Sequence, residues 1–241
     1  MIINSYRFGA LSTLLNGLVS YWKLDDLSGL ALDSLGLNDG TVVGATQGAA
    51  GKIGTSYSFD GVDDYINIDN VINDLASTTS GTWSAWVKPV DATPAGSEIF
   101  INFGDTNRNE NLQLYITSNG KLNGFYRIAG VSQWFLLTSA SAFSDNTWTH
   151  IAIIHNGTAP VLYVNAVAVA QTFSITTDKT SWFNNQSGLD NGRIGDRNYI
   201  NGGETQHFNG SIDEVGIWDR DLTASEITEL YNAGAGKTYP F

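Results

Sequence analysis

The sequence predicts an all-β fold, a β-sandwich or jelly roll closed by one short C-terminal helix. Two observations carry this. Short runs rich in Val, Ile, Thr, Tyr and Trp recur along the 241 residues, bounded by Gly, Asn, Asp and Ser. Many short strands separated by turn signals describe a sandwich or jelly roll. Only 15% of residues are charged while 12% are aromatic, the balance of a folded strand-rich domain and not of a disordered chain.

Taken in order, strands are expected at 17–24, 55–59, 65–68, 82–90, 98–103, 112–117, 121–128, 147–156, 161–165, 166–173, 192–195 and 211–219. The NG and DG pairs at 39–40, 119–120, 123–124 and 156–157 read as hairpin-type turns, because Gly adopts positive φ cheaply. VLYVN-AVAVA predicts a tight hairpin closed at Asn165 and Ala166, without the usual glycine. The helix is DLTASEITELYNAG, 221–234. Thr223 as N-cap and Glu226 three residues on make a capping box, and Leu222 with Ile227 a hydrophobic staple. Ile227, Leu230 and Tyr231 then share one face, and Gly234 is the expected C′ stop. Residues 1–16 look like an appended arm before a single domain spanning 17–241.

The formal net charge is −12. An acidic surface repels phosphate backbones, so nucleic acid is not an expected partner. No apolar run approaches the roughly 18 residues that a spanning helix needs, so membrane insertion is not expected. There is no Cys, hence no disulfide framework. MIINSYRFGALSTLLNG lacks the basic start and small-residue cleavage site of a signal peptide. The expected location is extracellular, or on a virion.

Several segments together resemble one family. YWKLDDLSGLALDSLGLNDGT, GKIGTSYSFDGVDDYINI, TWSAWVKP, TWTHIAIIHNG with VLYVN, and FNGSIDEVGIWDRDLTASEITELYNAG are similar, in order, to the laminin-G-like members of the concanavalin A-like lectin/glucanase (jelly-roll) superfamily. The resemblance covers about residues 17 to 235. It implies a two-sheet antiparallel jelly-roll sandwich, one sheet concave. It says less of function, because this fold serves lectins, glycosidases, adhesion modules and virion proteins alike.

Strand parity places Trp22, Leu24 and Asp26 on one face, and Asp213, Val215 and Ile217 on another strand's inner face. An unpaired buried carboxylate is costly, and a hard cation is its natural partner when Lys and Arg are scarce. Ca²⁺ takes roughly 6 to 8 oxygens. Asp33 and Asn38 can add to the set, and the resemblance implies a structural Ca²⁺ held by Asp26, Asp33, Asn38 and Asp213. The alternative is that Asp33 and Asn38 cap turns and Asp26 lies at the surface. The loop does not match EF-hand spacing. FDGVDDY, with Asp60, Asp63 and Asp64, reads as a turn entering a strand, or as a second metal contact.

Glycosidases on the resembled fold carry acidic residues two and three apart on one strand, aimed together into the cleft. No such triplet occurs here, and Asp213 and Glu214, being adjacent, are expected to face opposite ways. His150 and His155 read as strand residues, and the three His make no zinc spacing. No catalytic residue is assigned, and the chain is not expected to be an enzyme. Recognition remains. Loops outside the core pattern crowd Asn, Gln, Arg and aromatics, and Asn107, Arg108, Tyr126, Arg127, Trp134, Trp182, Tyr199 and His207 are the candidate ligand residues. The alternative for Tyr126 and Trp134 is sheet packing, for Trp182 a core edge, for the arginines solvation. The leading reading is a non-catalytic binding or adhesion module recognising a glycan or cell-surface ligand. A second is a phage structural virion protein, decoration or tail-associated, anchored by its arm to other virion proteins or to its own copies. A third is a glycoside hydrolase.

Overall fold

The computed structural model describes residues 12–107, 109–186, 188–199 and 203–241. Its strands are, in chain order, β1 (Leu18–Trp22), β2 (Thr41–Val43), β3 (Thr46–Ala50), β4 (Thr55–Asp60), β5 (Tyr65–Asn67) and β6 (Gly81–Pro89). There follow β7 (Glu98–Gly104), β8 (Asn111–Ile116), β9 (Leu122–Ile128), β10 (Val131–Thr138), β11 (Thr149–His155) and β12 (Pro160–Val164). The last are β13 (Val167–Ala168), β14 (Gln171–Thr176), β15 (Asn191–Ile194), β16 (Arg197–Tyr199), β17 (Gly203–Thr205) and β18 (Asn209–Trp218). A small helix α1 (Ile72–Leu75) and the C-terminal α2 (Ala224–Tyr231) complete the described elements used below.

Two eight-stranded sheets carry the fold. The first runs β13-β12-β11-β6-β18-β4-β3, with β1 also paired to β18. The second runs β14-β10-β9-β8-β7-β15-β5-β2. The pairings are antiparallel throughout. This is the two-sheet jelly-roll sandwich that the sequence predicts. Between the sheets lies one aromatic-rich core in which Trp83, Phe103, Trp134, Trp182 and Phe183 are all buried. Trp182 sits at its centre, stacked on Trp134 and on His155 and tilted against Trp83. His155 spends both ring nitrogens on backbone partners, Lys179 O at 2.9 Å and the N–H of Gly157 at 3.1 Å.

Most expected strands form within a residue or two of their ends. Four differences have identifiable causes. Beyond the expected strand 121–128, the segment 131–138 forms a strand that was not expected, and the two make the β9–β10 hairpin, turned by Ala129 and Gly130 with φ of 45° and 81°. Asn123–Gly124 is no turn but lies inside β9. A Cβ at Gly124 would sit 2.9 Å from Ile153 Cδ1 and 3.2 Å from the Trp134 ring, so the glycine admits that tryptophan to the core. The 166–173 strand is split into β13 and β14, which lie in different sheets. α2 stops at Asn232, itself left-handed with φ 48°, two residues before Gly234. The glycine-free hairpin at Asn165–Ala166 forms as expected, with φ of 48° and 64°, the both-positive pattern of a type I′ turn.

A second apolar cluster covers the outer face of the first sheet: Tyr21, Ala152, Ile154 and Trp218 from strands, Leu222, Ile227 and Leu230 from the α2 region. Tyr239 and Phe241 pack on it from the C-terminal segment. Residues 12–16 of the expected arm are held there too. Leu14 is buried in this cluster, and its carbonyl accepts the Trp218 indole N–H at 2.7 Å. Residues 1–11 lie outside the described residues.

The capping box is present as read, with Thr223 and Glu226 bonded reciprocally. Glu226 also accepts from Arg220 and from the Thr13 hydroxyl (2.7 Å). The Arg220 guanidinium is the main reason its carboxyl is held down at about 2, against the opposing effect of burial. A folded-state value below the ordinary 4.5 means stability that is complete above that pH and lost as the pH falls towards 2. Glu226→Gln is therefore expected to lose about 1–2 kcal/mol at pH 7, discounted for the partly exposed arginine. The gap from the parent should close between pH 4.5 and 2 in urea titrations across pH.

Candidate functional site

The oxygen-rich loop after β1 is built around Asp33. Its Oδ1 accepts the N–H groups of Tyr21 (2.9 Å) and Leu35 (3.3 Å). Oδ2 accepts those of Leu37 (3.2 Å) and Asn38 (3.1 Å). A carboxylate offers about four lone-pair sites, so Asp33 has none left for a cation. The Asn38 side-chain amide donates to Ser20 Oγ (2.9 Å) and Asp74 Oδ2 (3.0 Å), and its backbone carbonyl accepts the Trp22 indole N–H (2.9 Å). Asp26 is partly exposed and accepts from Leu32 N–H (2.9 Å) and the Tyr57 hydroxyl (3.3 Å). These residues fold the loop onto β1; the turn-capping alternative describes Asp33, whereas the Asn38 amide cross-links the loop to β1 and α1.

Asp213 lies elsewhere, and the reason is a bulge. Between Asp213 and Gly216 the register with β6 slips, and Glu214 takes φ 51°. The extra residue reverses the parity. Ile212, not Asp213, shares the inner face with Val215 and Ile217, while Asp213 is opposite Trp86, which stacks on Tyr231 of α2. Asp26, Asp33, Asn38 and Asp213 therefore do not fit one calcium ion. Among the described residues the acidic trio with oxygens within 4.8 Å of one another is Asp60, Asp63 and Asp64. Two of these build a turn: Asp60 caps Val62 N–H (2.8 Å) and Asp64 caps Asp60 N–H (2.8 Å).

The bulge also brings Asp213 and Glu214 to one side of the sheet, against the expectation that they diverge; both charges bear on Tyr21. Both are buried, at 0% and 3% exposure. Asp213 Oδ2 accepts from the N–H groups of Lys52 (2.7 Å) and Ile53 (3.0 Å), but Oδ1 has no partner. The hydroxyls of Tyr21 and Thr238 approach Glu214. Tyr21 nevertheless donates to Lys237 O (3.1 Å), and neither Glu214 oxygen nor Thr238 Oγ1 makes a well-formed hydrogen bond. Burial pushes the Asp213 carboxyl up to about 8, opposed by the Ile53 amide and reinforced by Glu214. Burial likewise raises Glu214 to about 7, opposed by the two hydroxyls.

On the outer face of the second sheet lies a groove of about 340 Å³, within the roughly 300–1,000 Å³ typical of small-ligand sites. Alternation builds it. In β8, Leu112, Leu114 and Ile116 enter the core, so Asn111, Gln113 and Tyr115 point out. Cross-strand register then sets two rungs: Asn111–Arg127–Ser132, and Gln113–Phe125–Phe135–Ile175. Phe125 and Phe135 meet edge to face at 5.9 Å. The Arg127 guanidinium lies over Phe125, 5.1 Å from the ring centroid. It donates to Asn109 Oδ1 (3.1 Å) and Ser132 Oγ (3.4 Å). Ser97, Arg197 and Gln206 close the rim. Asn111 Oδ1 and Gln206 Oε1 are buried without partners. Among the described residues no Asp or Glu lines the groove. Two smaller cavities, of about 280 and 260 Å³, lack this convergence of polar groups and aromatics.

Of the eight expected ligand residues, Arg127 reaches this groove. Tyr126, Trp134 and Trp182 do not; they are buried core residues. The Tyr126 hydroxyl donates to Trp182 O (2.6 Å) and the Trp134 indole to Ser181 O (3.0 Å), so neither ring nor polar atom is left for a ligand. Asn107 closes a turn through Asp105 Oδ1 (2.7 Å) and Asp190 Oδ2 (3.2 Å). His207 is mostly buried, 4.0 Å from Asp196. Arg108 and the side chain of Tyr199 lie outside the described residues. Sequence reasoning missed Asn111, Gln113, Phe125 and Phe135, whose signal was the polar alternation within β8 and β9.

A family model described as the concanavalin A-like lectin/glucanases superfamily, Laminin_G_3, matches residues 60–228. No curated relative matches. Among solved structures, the chain is similar to the carbohydrate-binding module CBM40 of the Ruminococcus gnavus IT-sialidase, bound to α2,3 sialyllactose. Identity is 15% and TM-score 0.61, over 72% of this chain and 94% of that one. It is also similar to a Trypanosoma rangeli sialidase mutant displaying trans-sialidase activity, at 17% identity and TM-score 0.66. A NanB sialidase mutant from Streptococcus pneumoniae gives 18% and 0.60. The chain covers 95% of itself but 35% of the former, and 72% of itself but 27% of the latter. At these identities the likeness is one of fold.

If Asp33 serves the backbone and not a cation, Asp33→Asn should cost about 3 kcal/mol, because its amide presents a donor to N–H groups that need an acceptor. Urea unfolding should show the same loss in excess calcium and in chelator.

Proposed function

Because the chain belongs to the concanavalin A-like lectin/glucanases superfamily, we propose that it is a non-catalytic carbohydrate-recognition module whose ligand lies in the groove across β8, β9 and β10. The observation that carries this is the two rungs: an aromatic pair, Phe125 and Phe135, beside a ladder of amides and a guanidinium. Sugars present an apolar ring face and a rim of hydroxyls, and this surface offers a partner for each. The unpartnered Asn111 Oδ1 and Gln206 Oε1 are acceptors that hydroxyl donors would satisfy. The similar module bound to sialyllactose supports a glycan as the ligand class. Glycoside hydrolysis needs two carboxyl groups flanking the scissile bond, and among the described residues the groove lining holds none. The virion reading rested on the arm, most of which lies outside the described residues, so no observation favours it.

The calcium expectation is proposed at a different place from the one the resemblance implied. Asp213 Oδ1, both Glu214 oxygens and Thr238 Oγ1 are buried oxygen atoms without partners. Carboxylates with unused oxygens in a buried site suit a hard cation. There it would supply charge neutralisation and tie β18 to the C-terminal segment.

Two outcomes are expected. Phe125→Ala with Phe135→Ala should weaken glycan binding at least tenfold in calorimetry against whichever array glycan binds the parent, with unfolding otherwise parental. A parent that binds no sugar would overturn the groove reading. Calcium at about 100 times its Kd should stabilise the parent by about 2.7 kcal/mol, and Glu214→Gln should abolish that increment. A parent melting temperature indifferent to calcium and chelator would sink the cation site.

A further inference from the structure

Resting on the glycan reading, we infer that the groove selects an anionic sugar, whose acid group, a carboxylate or a sulfate ester, is received by Arg127.

The partners of Arg127 are the starting point. Its guanidinium is held by a side-chain amide oxygen and a hydroxyl, and by the face of Phe125. All three are neutral. Among the described residues no carboxylate forms an ion pair with it. The charge is therefore oriented but not neutralised. That contrasts with Arg220, paired with Glu226, and Arg193, 3.8 Å from Asp196.

The surroundings sharpen the contrast. The chain carries 24 Asp and Glu against 12 Lys and Arg, yet among the described residues the groove lining holds Arg127 and no acid. Among the described residues, Arg127 thus makes this surface locally positive on an acidic molecule. Arg197 stands near the other end, where its charge opposes the upward push that burial gives the Tyr115 hydroxyl. Asn111 and Tyr115 are four residues apart on β8, roughly 13 Å at about 3.3 Å per residue. A short oligosaccharide fits that span, with its acid at Arg127 and neutral rings over Phe125 and Phe135.

A planar guanidinium stacked on an aromatic ring presents its edge, and two parallel N–H groups on that edge match the two oxygens of an acid group. A neutral hydroxyl accepts one such bond without charge assistance. The acidic member of a matched pair of sugars should therefore be preferred.

The test uses the full chain in calorimetry with matched pairs: sialyllactose against lactose, glucuronate-terminated against glucose-terminated disaccharide, and sulfated against unsulfated galactoside. The expected result is at least tenfold tighter binding of an acidic member. The carboxylate and sulfate arms identify which acid group is read. Arg127→Gln should remove the preference, so that acidic and neutral partners bind alike, and Arg127→Lys should restore part of it. Unfolding curves of both variants check that the hairpin is intact. Equal binding of acidic and neutral partners, or a preference that survives Arg127→Gln, overturns the inference while the glycan reading stands. Absence of binding to every sugar overturns both.

Discussion

The last strand of the domain sits in the middle of a sheet, and the structure depends on how it is seated there. β18 pairs along one edge with β6 and along the other with β4 and then β1. The chain's two ends thereby become neighbours at the centre of the first sheet. Where β4 gives way to β1, the strand bulges at Glu214. The N–H groups of Lys52 and Ile53, just before β4, turn into the gap and bind Asp213. The bulge thus converts a break in pairing into a buried polar junction. It also sets which residues above and below it meet the core.

That local device marks the limit of reading by alternation. Parity along β18 is correct from Val215 to Trp218 and inverted before it, because one inserted residue moves every side chain beyond it to the opposite face. Nothing in IDEV announces the insertion: Glu at positive φ is uncommon, and no glycine marks the site. β1 fails in the same way at Leu24, whose φ of 59° ends the alternation before Asp26. The calcium set, drawn from parity on both strands, therefore joined residues that the fold keeps apart. By contrast α2 was readable almost to the residue, because capping box and staple are local features whose meaning does not depend on distant chain.

The candidate groove was partly legible for a related reason. Arg127 stood out as a charged residue among aromatics. Its neighbours Tyr126 and Trp134 carried the same signal and turned out to be core. Large aromatics mark burial as strongly as recognition, and which applies is decided by strand phase. With an NG turn placed inside β9, and β10 not expected as a strand, phase was not available. Once the hairpin is in place, Tyr126 and Trp134 face each other on the inner side, and Phe125, Arg127 and Phe135 fall on the outer one. The plain polar run Asn111, Gln113 gave no composition signal and acquires its meaning only from the register that places it beside Arg127.

The two sheets divide the work between them. A sheet has two faces, and in a sandwich one of each is spent on the shared core. The first sheet's outer face is covered by residues 12–16, α2 and the C-terminal aromatics, which leaves it apolar, with Asp213 and Glu214 buried beneath the cover. Among the described residues the second sheet has no such cover over β8 to β10. Its outer residues must suit water, which explains the amides, yet Phe125 and Phe135 are kept there beside an arginine that no acid among the described residues neutralises. Solvent compatibility alone would be met by any polar set. Aromatic faces, amides and an oriented cation on adjacent rungs make a more specific demand, and a sugar ring bearing an acid group meets all of it.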